Sequence, residues 1–241
     1  MVFGRSYLAA LMLVFCCALS AQSKPLTAVA EAWQGYTEPD GQGIYWQIVR
    51  EAMLHSGYQI QPEVANWKRA RHQFEQKNAE LLIGATQVDM AQAIFPRWHL
   101  DFDDAIYLFT LEPMTDLQQL QHQTVVFLLG YQFERYLSDI VIRSYEVSTT
   151  DQVLDLLQLG RIQAFIGYHF NLPETARVHQ QQLRERTPLY VVFQPTERGQ
   201  KLAAAYEQGM AYLYQSGRLQ EIFANDSLYR MAGFPVKVNT P

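Results

Sequence analysis

The run Leu100-Asp101-Phe102-Asp103-Asp104 gathers carboxylates, the oxygen donors a calcium ion takes. It lacks the glycine and the distal glutamate of a calcium loop, so these acids read as a charged loop and not as a metal site. The histidines at 55, 72, 99, 122, 169 and 179 include no pair at zinc-ligand spacing. A Gly-x-Ser-x-Gly elbow, a phosphate loop and a dinucleotide fingerprint are all missing. What remains for acid–base work is His169 beside Tyr168, with Glu63 or Asp104 as partners by residue type alone. No metal and no cofactor is expected.

The elements that must position such residues alternate short apolar strands with amphipathic helices. Leu26 to Ala30 reads as a strand, with Trp33-Gln34-Gly35-Tyr36 leading into a turn at Pro39-Asp40-Gly41. Ile44, Tyr45, Ile48, Val49, Ala52 and Met53 carry helical periodicity, and Gly57 stands where a left-handed cap belongs. Tyr58 to Pro62 alternates as a strand does, Lys68 to Gln76 forms a short helix, and Leu81 to Ile83 is a strand closed by Gly84. The pattern then repeats. Thr124 to Leu129 is a strand buried on both faces, and Phe133 to Ile142 a helix. Thr149 to Gln152 has capping-box spacing ahead of a helix through Leu157 that stops near Gly160. Strands at Ile162 to Ile166 and Leu189 to Phe193 follow, then a long helix from Arg198 to Gln215, broken at Ser216-Gly217 and resumed from Arg218 to Ala224. Such alternation predicts the α/β class with largely parallel sheets. There is no internal repeat and no low-complexity segment.

Arg5 precedes an apolar run from Leu8 to Leu19, and Ala18-Leu19-Ser20 has the small residues that suit signal-peptidase cleavage after Ser20. The run is too short for a hydrocarbon core that needs about 20 apolar residues. Lipidation at Cys16 or Cys17 is disfavoured by the bulk of Phe15. Cleavage removes both cysteines, leaving about 220 residues to be held by their core without disulfides. The net charge of −5 becomes one unit more negative when Arg5 leaves, with acids and bases well mixed. That argues against nucleic acid or an anionic membrane as partner.

In order and spacing, the chain resembles the periplasmic solute-binding proteins of the type II fold, the cluster that includes the polar amino-acid binders. The resemblance is carried by Trp33 to Tyr36, by Asp40-Gly41-Gln42-Gly43-Ile44, by Trp67-Lys68-Arg69-Ala70 and by Glu80 to Thr86. Thr149 to Leu154, Gly160 to Gly167 and Tyr214 to Leu219 continue it. It implies two α/β lobes, each a mostly parallel sheet flanked by helices, joined by two strands and closing on a small molecule between them. Composition breaks at Glu112 to Gln123 and at Gln194 to Glu197 suggest the crossings. Residues 21–112 with 196–241 would then form one lobe and 113–195 the other.

The pattern also departs from that family. Amino-acid binders usually clamp the ligand carboxylate with an arginine shortly after the segment matching Gly84-Ala85-Thr86. Here Gln87 to Phe95 contains none, and Arg97 reaches the clamp only in a shifted register. The ammonium-binding aspartate of the family is replaced by Tyr168, whose hydroxyl cannot neutralise a full charge. The expected ligand-binding set is Trp33, Tyr36, Trp67, Arg69, Thr86, Arg97, Tyr131, Gln132, Tyr168 and His169. Asn171 stands beside them at the expected cleft, and Gly130-Tyr131-Gln132 offers backbone amides before a helix. Aromatic walls with a few donors suit a small polar or aromatic solute, not a standard α-amino acid. The implied function is solute capture in the periplasm by a monomer that presents its closed form to an ABC importer permease or a signalling receptor. The alternatives are a dehydratase-like periplasmic enzyme on the same scaffold and a protein that only engages partners.

Overall fold

The computed structural model describes residues 25–235. The expected export segment, with Cys16 and Cys17, lies outside the described residues. In chain order the elements are β1 (Leu26–Ala30), α1 (Ile44–His55), β2 (Ile60–Val64), α2 (Trp67–Glu75), β3 (Leu81–Ala85), β4 (Asp101–Asp103) and β5 (Ile106–Thr110). Next come β6 (Thr124–Leu128), β7 (Arg143–Val147), α3 (Val153–Gln158), β8 (Ala164–Tyr168), β9 (His179–Arg184) and β10 (Thr187–Phe193). Helices α4 (Glu197–Ser216), α5 (Arg218–Phe223) and α6 (Asp226–Met231) close the described chain.

The strands form two five-stranded sheets, ordered β2-β1-β3-β10-β4 and β7-β6-β8-β5-β9. Both are mixed. β1 lies parallel to β2 and β3, and β6 parallel to β7 and β8, while β10 and β5 enter antiparallel. Two antiparallel pairs, β4 with β10 and β5 with β9, sit in different sheets, so the described chain passes between lobes only at residues 104–105 and 185–186. The structure therefore has the two expected hinge strands but moves both crossings. Residues 113–123 lie within the second lobe as a 3₁₀ turn (Leu117–Leu120) capped by Asp116, and Thr196 caps α4 by accepting from the Gly199 amide. Glutamine and proline mark turns and helix starts at 113–123 and 194–197, whereas the strands that run through the hinge keep extended backbone, and even Pro188 sits within β10.

Period-2 alternation divides each sheet between two cores. In the first lobe Leu26, Ala28 and Ala30 face α1 and α4, where Trp46, Val49, Tyr206 and Met210 are fully buried. Val29, Leu82 and Val192 face α2 on the other side, against Trp67, Ala70 and Phe74. The second lobe repeats this with Val125, Phe127 and Ile166 on one face and Val126, Phe165 and Phe109 on the other. Its helices are shorter than the sequence suggests. The expected helix at 133–142 is a 3₁₀ turn (Phe133–Leu137) entered from Gln132 in the left-handed region, without a side-chain cap. Ser138 and Asp139 follow it, residue types whose side chains compete with helical backbone bonding. Helix α3 begins at Val153 with no side-chain bond at its cap, so the expected capping box does not form.

Candidate functional site

The parallel strands of both sheets point their carboxyl ends at one cavity of about 610 Å³ between the lobes. From the first lobe, Glu31, Trp33 and Tyr36 follow β1, Trp67 follows β2, and Gly84 and Asp89 come from the end of β3. From the second lobe, Tyr131, Phe133 and Arg135 follow β6, Ser148 follows β7, and Tyr168, Phe170 and Asn171 stand at the end of β8. The chain leaves β1 toward β2 on one side and returns to β3 on the other, and β6 does the same with β7 and β8. Such switch points open a crevice beyond the strand ends, which is why side chains after β1, β3, β6 and β8 meet here.

Aromatic rings make a continuous lining across both lobes. Tyr36 lies 4.7 Å from Tyr45, Tyr45 6.4 Å from Trp33, and Trp33 6.2 Å from Trp67 between ring centres. Trp67 reaches Tyr131 at 6.3 Å, Tyr131 meets Tyr168 edge-on at 6.0 Å, and Tyr168 stacks on Phe170 at 5.2 Å. Gly84 makes room for part of this wall. Its φ is +85°, and a Cβ there would run into the Trp33 ring.

Five carboxylates and three guanidiniums share the cavity. Arg135 pairs with Asp89 at 2.7 Å, Arg184 with Asp103 at 2.5 Å and Arg186 with Asp104 at 3.3 Å. Among the described residues, no cationic side chain lies within ion-pair distance of Glu31 or Asp101. Instead the Tyr131 hydroxyl donates to Glu31 at 2.5 Å, joined by the Trp67 amide at 3.2 Å. The Tyr45 hydroxyl donates to Asp101 at 2.7 Å, joined by the Phe102 amide at 2.7 Å. Burial raises the Glu31 carboxyl above its usual range, more than bonds from Tyr131, Trp67 and Trp33 lower it. Burial likewise raises Asp101 against the bonds from Tyr45 and Phe102. Burial, then the charge of the adjacent acid, pushes both tyrosine hydroxyls up, so they remain protonated donors.

Several of these bonds run from lobe to lobe. Arg135 to Asp89 and Tyr131 to Glu31 cross the cavity, Lys68 reaches Glu146 at 3.3 Å, and Arg71 donates to the Gly130 carbonyl and the Gln132 amide oxygen. Gly130 lies close against Lys68. At φ +87° its position would place a Cβ 2.6 Å from the Lys68 side chain and 2.8 Å from its backbone.

Of the residues expected from sequence, Trp33, Tyr36, Trp67, Tyr131 and Tyr168 line this cavity. The others do not. Arg69 is exposed on α2, whose inward face carries Trp67, Ala70 and Phe74. Thr86 is buried behind the wall, where its amide and hydroxyl both donate to Asp89. Arg97 is an exposed surface residue bonded to Glu207 of α4. Gln132 is turned out by its left-handed backbone and accepts from Arg71. His169 is exposed beyond β8, edge-on to Tyr107. Glu63 is exposed on the edge strand β2 and accepts from Gln73, so neither it nor His169 faces the cavity. Glu31, Tyr45, Asp89, Arg135 and Arg184 also line the cavity, and no motif in the sequence flags them. Glu31 lies directly after β1, where position alone could have singled it out.

No family model matches the chain, and no curated protein sequence does. Solved structures match closely in architecture. The GluR0 ligand-binding core from Nostoc punctiforme in complex with L-glutamate superposes with a TM-score of 0.59 at 15% identity, covering 85% of this chain and 99% of that one. A putative L-cystine ABC transporter protein from Listeria monocytogenes gives 0.61 at 13% identity over 87% and 96%. An ABC uptake transporter substrate-binding protein from Streptococcus pneumoniae with bound histidine gives 0.59 at 14% over 84% and 93%. The chain has the two-lobed type II periplasmic binding protein fold. At these identities the likeness reaches the fold and not the ligand. Within this binding-protein fold, the segment after β3 supplies an acid, Asp89, where the resemblance implies an arginine clamp, and the arginine bonded to it comes from the opposite lobe.

Proposed function

We propose that this chain is a periplasmic solute-binding protein that takes a small molecule into the cavity between its lobes without transforming it. The observation that carries the reading is the cavity itself: both lobes line it, and the described chain links them through two strands alone. Hinging at 104–105 and 185–186 would bury a solute from both sides, and the closed lobe surfaces would be what an ABC importer permease or a signalling receptor reads. A solute other than a standard α-amino acid is favoured, because each cleft arginine is engaged by a carboxylate and Tyr168 ends β8. The dehydratase-like alternative has less support, since His169 and Glu63 lie outside the cavity and Asp104, which lines it, is paired with Arg186.

Native mass spectrometry of protein purified gently from periplasm, before and after partial unfolding, tests the reading. A small molecule retained in the native state, released unchanged on unfolding, is the expected result. An empty protein whose melting temperature does not move across a broad metabolite panel would overturn it in favour of a partner-binding role.

A further inference from the structure

Resting on the solute-binding reading, we infer that the solute is an organic ammonium cation without a carboxylate, seated against Trp33, Trp67 and Tyr131 with Glu31 as its counter-ion. Three observations converge. The rings of Trp33, Trp67 and Tyr131 are linked neighbours on the cavity wall, and aromatic faces attract an ammonium group through their quadrupoles. Glu31 lies among them, held by the Tyr131 hydroxyl and the Trp67 amide, with no arginine or lysine among the described residues bonded to it. The anion-binding capacity of the cavity is already engaged: Arg135, Arg184 and Arg186 each meet an aspartate. A ligand carboxylate would have to displace one of those acids, whereas an ammonium group meets a carboxylate that has only neutral partners.

Asp101 extends the argument along the same wall. Tyr45, edge-on to Trp33, holds it by hydrogen bond, so an acid stands at each end of the stretch from Trp67 through Trp33 to Tyr45. The lining also includes the apolar side chains Phe102, Leu189, Leu228 and Met231, with Arg186 over the Phe102 ring and paired with Asp104. A cationic head with a second donor or an apolar tail fits this sequence of surfaces. Both acids carry raised carboxyls from burial, and a bound cation would relieve that.

The test is calorimetric titration of the mature protein with 1,4-diaminobutane, phenethylamine and choline, set beside L-phenylalanine, L-glutamate and phenylacetate. At least one amine should bind, and the amino acids and phenylacetate should not. Glu31→Gln should weaken the bound amine roughly 10- to 100-fold, as expected when one charge-assisted interaction is removed. Asp101→Asn, read in the same way, guards against a Glu31 variant that fails to fold, and should weaken a diamine more than choline. Binding of an amino acid or an anion in place of every amine overturns the cation assignment while leaving solute capture standing. An unchanged amine affinity in both folded variants overturns it too. No response to these compounds or to a broad metabolite panel overturns the solute-binding reading itself.

Discussion

Both sheets follow one plan, three parallel strands, then one strand antiparallel to them, then an edge strand antiparallel to that one, but they are clothed differently. The first lobe lays the 12-residue α1 against the 20-residue α4 over one face and α2 over the other. The second has the six-residue α3, with 3₁₀ turns elsewhere, and its edge strand β9 exposes residues 179–182. The cleft divides along the same line. The first lobe brings the two acids without ion pairs and most of the aromatic wall, while Arg135 and Arg184 come from the second. A thick, rigid lobe can hold a recognition surface in place, and a thin one can serve as the part that closes over it.

The sharpest way to break that comparison is to cut into each core. Trp46 is fully buried between α1 and the sheet, and Trp46→Ala should cost about 3–5 kcal/mol. Leu157 on α3 is buried as well, but its thinner surroundings can collapse into the gap, so Leu157→Ala should cost about 2–3 kcal/mol, the low end for such changes. Urea titrations followed by circular dichroism give both numbers. An equal or larger loss at Leu157 would mean the second lobe is no softer than the first.

Next in size is the approach of the lobes at Gly130. Gly130→Val puts side-chain atoms into the Lys68 backbone and strains a positive φ. A penalty of about 2–3 kcal/mol on the closed arrangement would lower apparent ligand affinity roughly 30- to 150-fold. Small-angle scattering should show a larger radius of gyration. A compact variant with unchanged scattering would show that the lobes need not meet there.

How legible was this in the sequence? The long elements were readable because their signals are local. The stretch from Ile44 to Met53 repeats at helical spacing and Gly57 ends it, its amide bonding Leu54 at φ +81°. Helix α4, its break at Gly217 and α5 stand within a residue or two of where periodicity puts them. Both hinge crossings were misplaced, since a strand that changes sheets looks locally like any strand. The aromatic half of the cleft was legible because Trp33, Trp67, Tyr131 and Tyr168 sit at strand ends. Arg135, Asp89, Arg184 and Asp103 were not, because each pair joins residues 46 or 81 positions apart and neither member signals its partner.

Arg135 and Asp89 make a partly buried ion pair across the cavity, with side chains 23% and 11% exposed. Arg135→Met removes the cation while keeping much of the packing. Asp89 retains the Thr86 amide and hydroxyl as donors, so the cost on closure should stay near 1–2 kcal/mol, below that of stranding a fully buried charge. Scattering on the variant should fall between the parent and Gly130→Val. A structure as open as the glycine variant would promote this pair to the main latch.

The two acids of the first lobe set a pH dependence with a definite sign. Burial holds Glu31 above its ordinary 4.5 and Asp101 above its ordinary 3.8, so the folded chain keeps protons there that the unfolded chain has released. Their contribution to stability is therefore full below those ordinary values and is lost as pH rises through the higher folded values. The melting temperature of Glu31→Gln with Asp101→Asn should decline less than that of the parent from about pH 4 upward. Parallel curves would mean that the two carboxyls ionise as they do in water.

Lys68 and Glu146 should matter least, although they also join the lobes. Their side chains are 63% and 31% exposed, so water and salt screen most of the attraction and two flexible chains lose freedom in meeting. Glu146 also accepts from the Gly130 amide at 2.8 Å, and that bond survives when the lysine is removed. Lys68→Ala should thus change closure by no more than about 0.5 kcal/mol, and salt at about 0.5 M should erase what there is. Glu146→Ala frees the Gly130 amide as well and should cost more than Lys68→Ala. If the two variants scatter and bind alike, the amide bond adds nothing, and the contact between Gly130 and Lys68 rests on shape alone.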